Sequence, residues 1–317
     1  MKHLFIVNPV AGGRDRTEEV AAQAAEEFAR RGGGSYEIYT TTAPMDAARK
    51  IREAAADGGE LRVYACGGDG TLNECVCGAV GHGNVALTHF PGGTGNDFVR
   101  CFGEEKDRFR DLPALLDGEV RALDAIDCNG RMSINICSVG IDARIGTDVH
   151  KYSALPLLGG KASYITSAAV NLIKGVRQDL RVKCGGKLYY GDMSLICACN
   201  GSYYGGGFHP VPEARPDDGV LDFLIVKGVS RLSFVRLIGA YSKGKYATMP
   251  KVITHVRGDS IEIESETELA VNVDGELISG KRVCMKLLPG AVRFIVPRDM
   301  AYFRDGAGIQ PEPVQNT

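Results

Sequence analysis

The chain has 317 residues, 44% of them hydrophobic, and a formal net charge of −2. That length suits two domains with well-buried cores, and the near-neutral balance excludes the basic field of a nucleic-acid-binding protein. No window reaches the roughly 18–20 apolar residues needed to cross a bilayer, and the apolar run of MKHLFIVNP is too short for a signal-peptide core, so a cytoplasmic protein with at most peripheral membrane contact is expected.

The first third alternates strand and helix. KHLFIVN reads as a buried strand. Residues 15–31 read as a helix, with Val20, Ala24 and Phe28 recurring along one face. SYEIYTT is the second strand, and residues 44–57 the second helix, opened by Pro44. LRVYAC, a helix over 71–80 and NVALTHF follow. A helix is expected near Gly95 and another over 106–117. Repeated β-α units predict a mostly parallel, doubly wound sheet covered on both faces.

Near residue 121 the texture changes to short alternating runs, among them MSINICSVG, SLICACN, GVLDFLIVKG, DSIEIESE, ELAVNVDGE and AVRFIVP. Hairpin signals such as CGGK and VDGE separate several of them. Two longer helices are expected near 160–174 and 230–240, and the tail after Asp305 reads as disordered. The fold class is therefore α/β plus β: an N-terminal doubly wound α/β domain and a second, β-rich domain. The 10 cysteines lie mostly inside apolar runs without CxxC spacing and read as small core hydrophobes; Cys197 and Cys199 share one strand face. The six histidines form no ligand spacing and read as surface or packing residues.

Three glycine-rich turns stand at predicted strand ends: Asn8-Pro9-Val10-Ala11-Gly12, Gly67-Gly68-Asp69-Gly70-Thr71 and Pro91-Gly92-Gly93-Thr94-Gly95-Asn96-Asp97. In an open parallel sheet these ends line one rim, where ligands bind. Glycine turns leading into helices offer backbone N–H groups and partial positive charge, which suits phosphate. The GxxxxGK[ST] loop is absent, as is GxGxxG after the first strand, so neither of those phosphate-binding modes applies.

These motifs, with Leu72-Asn73-Glu74, the NICSVGIDA stretch, GGGFHPVPEARPDDGVLD and Asp274-Gly275-Glu276 in that order, resemble the diacylglycerol kinase catalytic domain family. The soluble bacterial lipid kinases are the branch they match, with sphingosine and ceramide kinases as relatives. The first loop departs from the pattern: Ala11 stands where the family carries a small hydroxyl residue.

The resemblance implies an ATP-dependent lipid kinase that uses Mg²⁺, acting on a membrane lipid such as diacylglycerol or phosphatidylglycerol at the membrane surface. It also implies an N-terminal doubly wound α/β nucleotide-binding domain followed by a β-sandwich-like domain, with a chain that returns to its first domain, giving domains of 1–122 plus about 297–317, and 123–296. Nucleotide contacts fall on Asn8, Pro9, Val10, Ala11, Gly12, Thr41, Gly67, Gly68, Asp69, Gly70, Thr71, Leu72, Asn73, Thr94, Asn96 and Asp97. Glu276 is the implied proton acceptor, and Asp69 and Asp97 are candidates for the nucleotide's metal. A structural Mg²⁺ maps to the Asp218 carboxylate with the carbonyls of Arg215 and Val220, and Asp124 would tie it to the cleft. Residues 152–173 are the expected membrane lip, from Leu155, Leu157, Leu158 and the flanking lysines. The sequence is compatible with a homodimer. The rival readings are a soluble-substrate kinase resembling NAD kinase and a non-catalytic nucleotide-binding regulatory module.

Overall fold

The structure, a computed structural model, describes residues 1–93, 95–144 and 175–305. The chain divides into two compact units. The first is Met1–Asp124, Arg215–Gly219 and Gly290–Thr317; the second is Ala125–Ala214 and Val220–Pro289. Against the expected boundaries, the first unit extends to Asp124, resumes at Gly290 and takes in a short loop, Arg215–Gly219. One side chain accounts for that loop's allegiance. The Asp124 carboxylate accepts the N–H of Gly219 at 2.8 Å and of Gly290 at 2.7 Å, while the Asp124 N–H donates to the Pro216 carbonyl at 2.6 Å.

In the first unit, strands β1 (Lys2–Val7), β2 (Tyr36–Thr40), β3 (Leu61–Gly67) and β4 (Val85–Pro91) are parallel, in the order β2-β1-β3-β4. The returning chain adds Phe294 beside Leu87 of β4, again parallel. β3 and β4 are buried at every residue, as strands covered on both faces must be. Helix α1 (Thr17–Arg30) buries Val20, Ala24 and Phe28 on one face, and α2 (Asp46–Ala55) follows β2. Helix α3 (Asp69–Ala79) begins two residues before the expected start, so the GGDGT loop runs directly into its first turn. The helices expected after Gly95 are instead a 3₁₀ segment, Phe98–Arg110, and the short α4 (Leu112–Leu116). Gly103, at φ 62°, interrupts the first. Pro113 sits in the first turn of the second, whose cap Asp111 accepts the Ala114 N–H.

The second unit is antiparallel, beginning with the end of β5 (Glu119–Cys128) paired to β6 (Arg131–Ser133). Strand β7 (Ile136–Gly140) pairs with the C-terminal half of β9 (Lys187–Cys199), while β8 (Gln178–Cys184) pairs with its N-terminal half. β12 (Ser260–Val273) pairs with both β7 and β8, which closes the sheet around an interior. β10 (Leu221–Lys227), β11 (Ile253–Gly258) and the first part of β13 (Glu276–Val296) extend it. Alternation along β9 sorts the side chains. Ile196 and Ala198 face the interior with Val139, Phe223 and Val271, whereas Leu195, Cys197 and Cys199 face a second cluster with Leu224 and Tyr241. Cys197 and Cys199 thus share a face, and all ten thiols are free; Cys284 departs from the core reading and is exposed.

The hairpin joining β12 to β13 is a two-residue turn with both φ positive, Asp274 at 52° and Gly275 at 97°. Asp274 does more than turn the chain. Its carboxylate accepts from Ser133 Oγ at 2.6 Å and from the backbone N–H groups of Ile134, Asn135 and Ile136 at 2.9, 3.2 and 3.0 Å. Three successive amides around one anion fix the segment that enters β7. Substituting Asp274→Ala leaves those donors without their acceptor, so urea denaturation should show a loss of about 3 kcal/mol or more, with Asp274→Asn losing less. A melt unchanged by the Ala variant would remove this anchor.

Candidate active site

The C-terminal ends of β1, β2, β3 and β4 lie in register at one edge: Val7 opposite Thr40 and Cys66, and Gly67 opposite Pro91. The sheet order reverses between β1 and β3, the place where open α/β sheets bind ligands. The loops that leave β1, β3 and β4 meet there through backbone. Asn8 N–H donates to the Cys66 carbonyl at 3.2 Å, and Gly92 and Gly93 N–H both donate to the Gly67 carbonyl, at 2.8 and 3.2 Å. Asp69 Oδ1 accepts the Phe98 N–H at 3.3 Å. A Cβ on Gly93 would lie 2.6 Å from Gly68 Cα, and one on Gly12, already at φ +69°, 2.5 Å from the Gly92 carbonyl oxygen. The glycines are there because backbone packs against backbone.

Other sequence-predicted residues sort by what they touch. Asn8 Oδ1 accepts the Val10 N–H and Ala11 N–H donates to the Asn8 carbonyl, which folds the first loop tightly. Thr41 stands at the same rim, with its N–H on the Val7 carbonyl at 2.9 Å. Its neighbour Thr42 is held by the Asp46 carboxylate, whose pKa is lowered to about 2 by the Thr42 N–H first and Arg49 next. Thr71 is buried, and its hydroxyl oxygen has no hydrogen-bond partner among the described residues. Asn96, at φ 50°, donates to the Gly93 carbonyl and leaves its own buried Oδ1 without such a partner. Asp97 makes no capping bond to the 3₁₀ segment that follows it and pairs with Arg100 at 3.1 Å. Leu72 and Asn73 are buried residues of α3. Thr94 and the expected membrane lip at 152–173 lie outside the described residues. Glu276 belongs to the second unit and is exposed beside the Asp274-Gly275 turn, whose Gly275 N–H donates to Asn272 Oδ1 at 2.7 Å.

For a phosphate-bearing ligand the fit is good. Glycines pack where a Cβ would collide, and Asp69, Gly70 and Thr71 open α3, where N–H groups have no intrahelical acceptor. For a metal, the Arg215–Val220 donor set is one carboxylate and two carbonyls, hard oxygens that suit Mg²⁺ or Ca²⁺. No group of three or more His, Cys, Asp or Glu placed to hold a metal exists among the described residues. In that loop Asp217, rather than Asp218, takes both Arg215 nitrogens, at 3.0 and 3.1 Å, and Arg215 lies over the Tyr302 ring at 4.1 Å.

The model of the diacylglycerol kinase catalytic domain matches residues 2–128, and that of the YegS C-terminal NAD kinase beta sandwich-like domain matches 135–296. The chain belongs to the diacylglycerol kinase catalytic domain family. It falls in the bacterial lipid-kinase branch. It is 30% identical over 295 residues to a "Probable lipid kinase YegS-like" of Pseudomonas aeruginosa, covering 93% of this chain and 95% of that one. It is 28% identical over 280 residues to a diacylglycerol kinase of Bacillus subtilis, covering 87% and 90%. A crystal structure from Bacillus anthracis, described as a "putative diacylglycerol kinase", superposes with a TM-score of 0.71 at 26% identity, over 94% of this chain and 97% of that one.

Two site residues of this family member escaped sequence reasoning. Arg16 donates to the Pro91 carbonyl at 3.3 Å, pairs with Glu19 at 2.6 Å and lies against Gly92, where a Cβ would meet its Nη1 at 2.6 Å. The basic pair Arg14 and Arg16 after the first loop was the available signal. His89, wholly buried in β4, places Nε2 2.9 Å from the Gly67 carbonyl; burial lowers its pKa, against the pull of Asp69. The packing distances separate the two central glycines. A Cβ on Gly68 would sit at an ordinary 3.6 Å from Gly93 Cα, whereas one on Gly93 collides with backbone. Gly93→Ala should therefore destabilise the first unit by about 1–3 kcal/mol, and Gly68→Ala by less. Equal melting temperatures for the two variants would refute the interlock.

Proposed function

We propose that the protein transfers the γ-phosphoryl group of ATP to a hydroxyl group of a membrane lipid, with diacylglycerol and phosphatidylglycerol as the leading acceptors. The observation that carries this reading is the backbone interlock of three glycine loops at the switch point of a parallel sheet, in a chain of this family. Phosphoryl transfer asks a protein mainly for positioning and for charge to meet charge. The N–H groups that open α3 and the backbone of the first and third loops receive phosphate oxygens. The unpartnered Thr71 hydroxyl donates to one of them, and the Arg16 and Arg100 guanidiniums add positive charge at the same rim. Mg²⁺, when bound with the nucleotide, neutralises the triphosphate; Asp69 and Asp97 are its candidate holders, and Asp218 with the Arg215 and Val220 carbonyls the candidate structural site. Glu276 accepts the proton of the attacking lipid hydroxyl. It is the exposed carboxylate of its hairpin, while its neighbour Asp274 is committed to backbone amides.

Radiolabelled ATP with Mg²⁺ tests the reading against two acceptor panels. One is diacylglycerol, phosphatidylglycerol, a prenol and a sphingoid base in mixed micelles; the other is soluble metabolites including NAD. Label in a lipid is expected, and label only in a soluble acceptor would favour the NAD-kinase-like reading. Glu276→Gln should lower kcat by about 10²-fold or more, the range of a general base, while calorimetric ATP affinity stays unchanged. Retention of more than about a tenth of wild-type kcat by that variant would remove Glu276 from the role.

A further inference from the structure

Helix α5 (Arg231–Tyr241) breaks the rule for a surface helix. Such a helix normally buries one apolar stripe and turns polar side chains to water. The inner stripe of α5 is ordinary: Leu237, Ile238, Ala240 and Tyr241 pack on the cluster that holds Leu224, Val226 and Met249. The opposite stripe is apolar too. Leu232 is 61% exposed and Val235 54% exposed, and they share a face with the exposed Gly239 through spacings of three and four residues. A single exposed leucine needs no explanation; a second apolar face on one helix does.

Charge says what covers it. From Phe223 to Gly258 there is no Asp or Glu, while seven Lys or Arg residues occur, all of them exposed; of these, Arg257 pairs with Asp222 at 3.5 Å. Arg231 and Arg236 lie on α5 itself, and Lys243 and Lys245 follow it directly. In a chain of net charge −2 this is a local positive field around an apolar stripe. The acidic groups packed nearby are engaged: Asp192 pairs with Arg177 at 3.6 Å, and Glu213 accepts from the Tyr246 hydroxyl. An apolar helix face rimmed by cations is the pattern that lies in the headgroup region of an anionic bilayer, with side chains in the acyl boundary and basic groups among the phosphates.

We infer that the outer face of α5 is the surface by which this protein docks on anionic membranes. The inference deepens the proposed function and rests on it for the reason the protein visits a bilayer. The test uses the full chain and vesicle co-sedimentation, comparing pure phosphatidylcholine with mixed phosphatidylglycerol–phosphatidylcholine. Two double variants are compared with wild type, Leu232→Ser/Val235→Ser and Arg231→Gln/Arg236→Gln. Wild type should prefer the anionic vesicles, and each variant should lose about tenfold in partition onto them with an unchanged melting temperature. Phosphorylation of a dispersed short-chain diacylglycerol should be unchanged in both, while phosphorylation of long-chain diacylglycerol in vesicles falls. A vesicle partition that survives both variants overturns the proposal, as does a wild type indifferent to anionic lipid. So does a dimer that Leu232→Ser/Val235→Ser dissociates, by sedimentation velocity, at constant vesicle binding, because the face would then cover a second copy. If no lipid is phosphorylated but the partition losses stand, the docking surface stands and the kinase reading fails.

Discussion

The carbonyl of Gly67 is the point on which the first unit's rim depends. It ends β3 and accepts the N–H groups of both Gly92 and Gly93, with His89 Nε2 at 2.9 Å behind it. One acceptor thereby fixes the third glycine loop to the second. Once that loop is drawn in, Gly93 has only hydrogen to offer toward Gly68, and Gly12 only hydrogen toward Gly92. Where the three loops meet, backbone therefore packs on backbone, the kind of glycine turn whose N–H groups suit an anion. Neutral His89 suits the arrangement. Its Nε2–H can donate to the carbonyl, and burial holds the ring's pKa below its ordinary value, so no buried positive charge competes with the rim's chemistry.

Carboxylates divide by environment into those that brace the backbone and those left exposed. Asp274 accepts three backbone amides and a serine hydroxyl, Asp124 accepts two amides from distant parts of the first unit, and Asp46 holds the Thr42 turn. Burial pushes the Asp124 carboxyl up while the Gly290 and Gly219 amides oppose the shift. In the hydrogen-bond map, each of these acids replaces secondary structure where a segment must turn. Glu276 has no such duty in its exposed position, and that difference separates it from Asp274, two residues away.

Much of this was legible in the sequence, for identifiable reasons. Period-two and helical patterns gave the β-α alternation, the antiparallel second domain and the shared face of Cys197 and Cys199, because each rests on burial along one element. Glycine at three strand ends gave the rim. The details that escaped depend on contacts between distant segments. Nothing local in Arg14-Asp15-Arg16 says which arginine lies on Gly92. The resemblance associates Asp124 with the 215–220 loop, but nothing near it in sequence says that its carboxylate also takes the Gly290 N–H. Leu72 and Asn73 fall within the loop motif and are buried residues of α3, which starts two residues earlier than its pattern suggests. A motif marks a stretch of backbone; which side chains it offers is decided by the helix phase that follows.

Helix α5 carries the same lesson from the other side. The helix expected near 230–240 is there as RLSFVRLIGAY, apolar on two faces. Only Tyr241 is buried. A helix that exposes a leucine and a valine at three-residue spacing forgoes the transfer free energy that their burial would supply, about 1.5–3 kcal/mol for a fully buried side chain. Stability alone does not select such a face. The acid-free stretch from Phe223 to Gly258 adds exposed cations beside it, and these carry considerable weight against a negatively charged surface. The two anomalies coincide on one helix, and a bilayer interface removes both: it buries the apolar stripe and neutralises the rim.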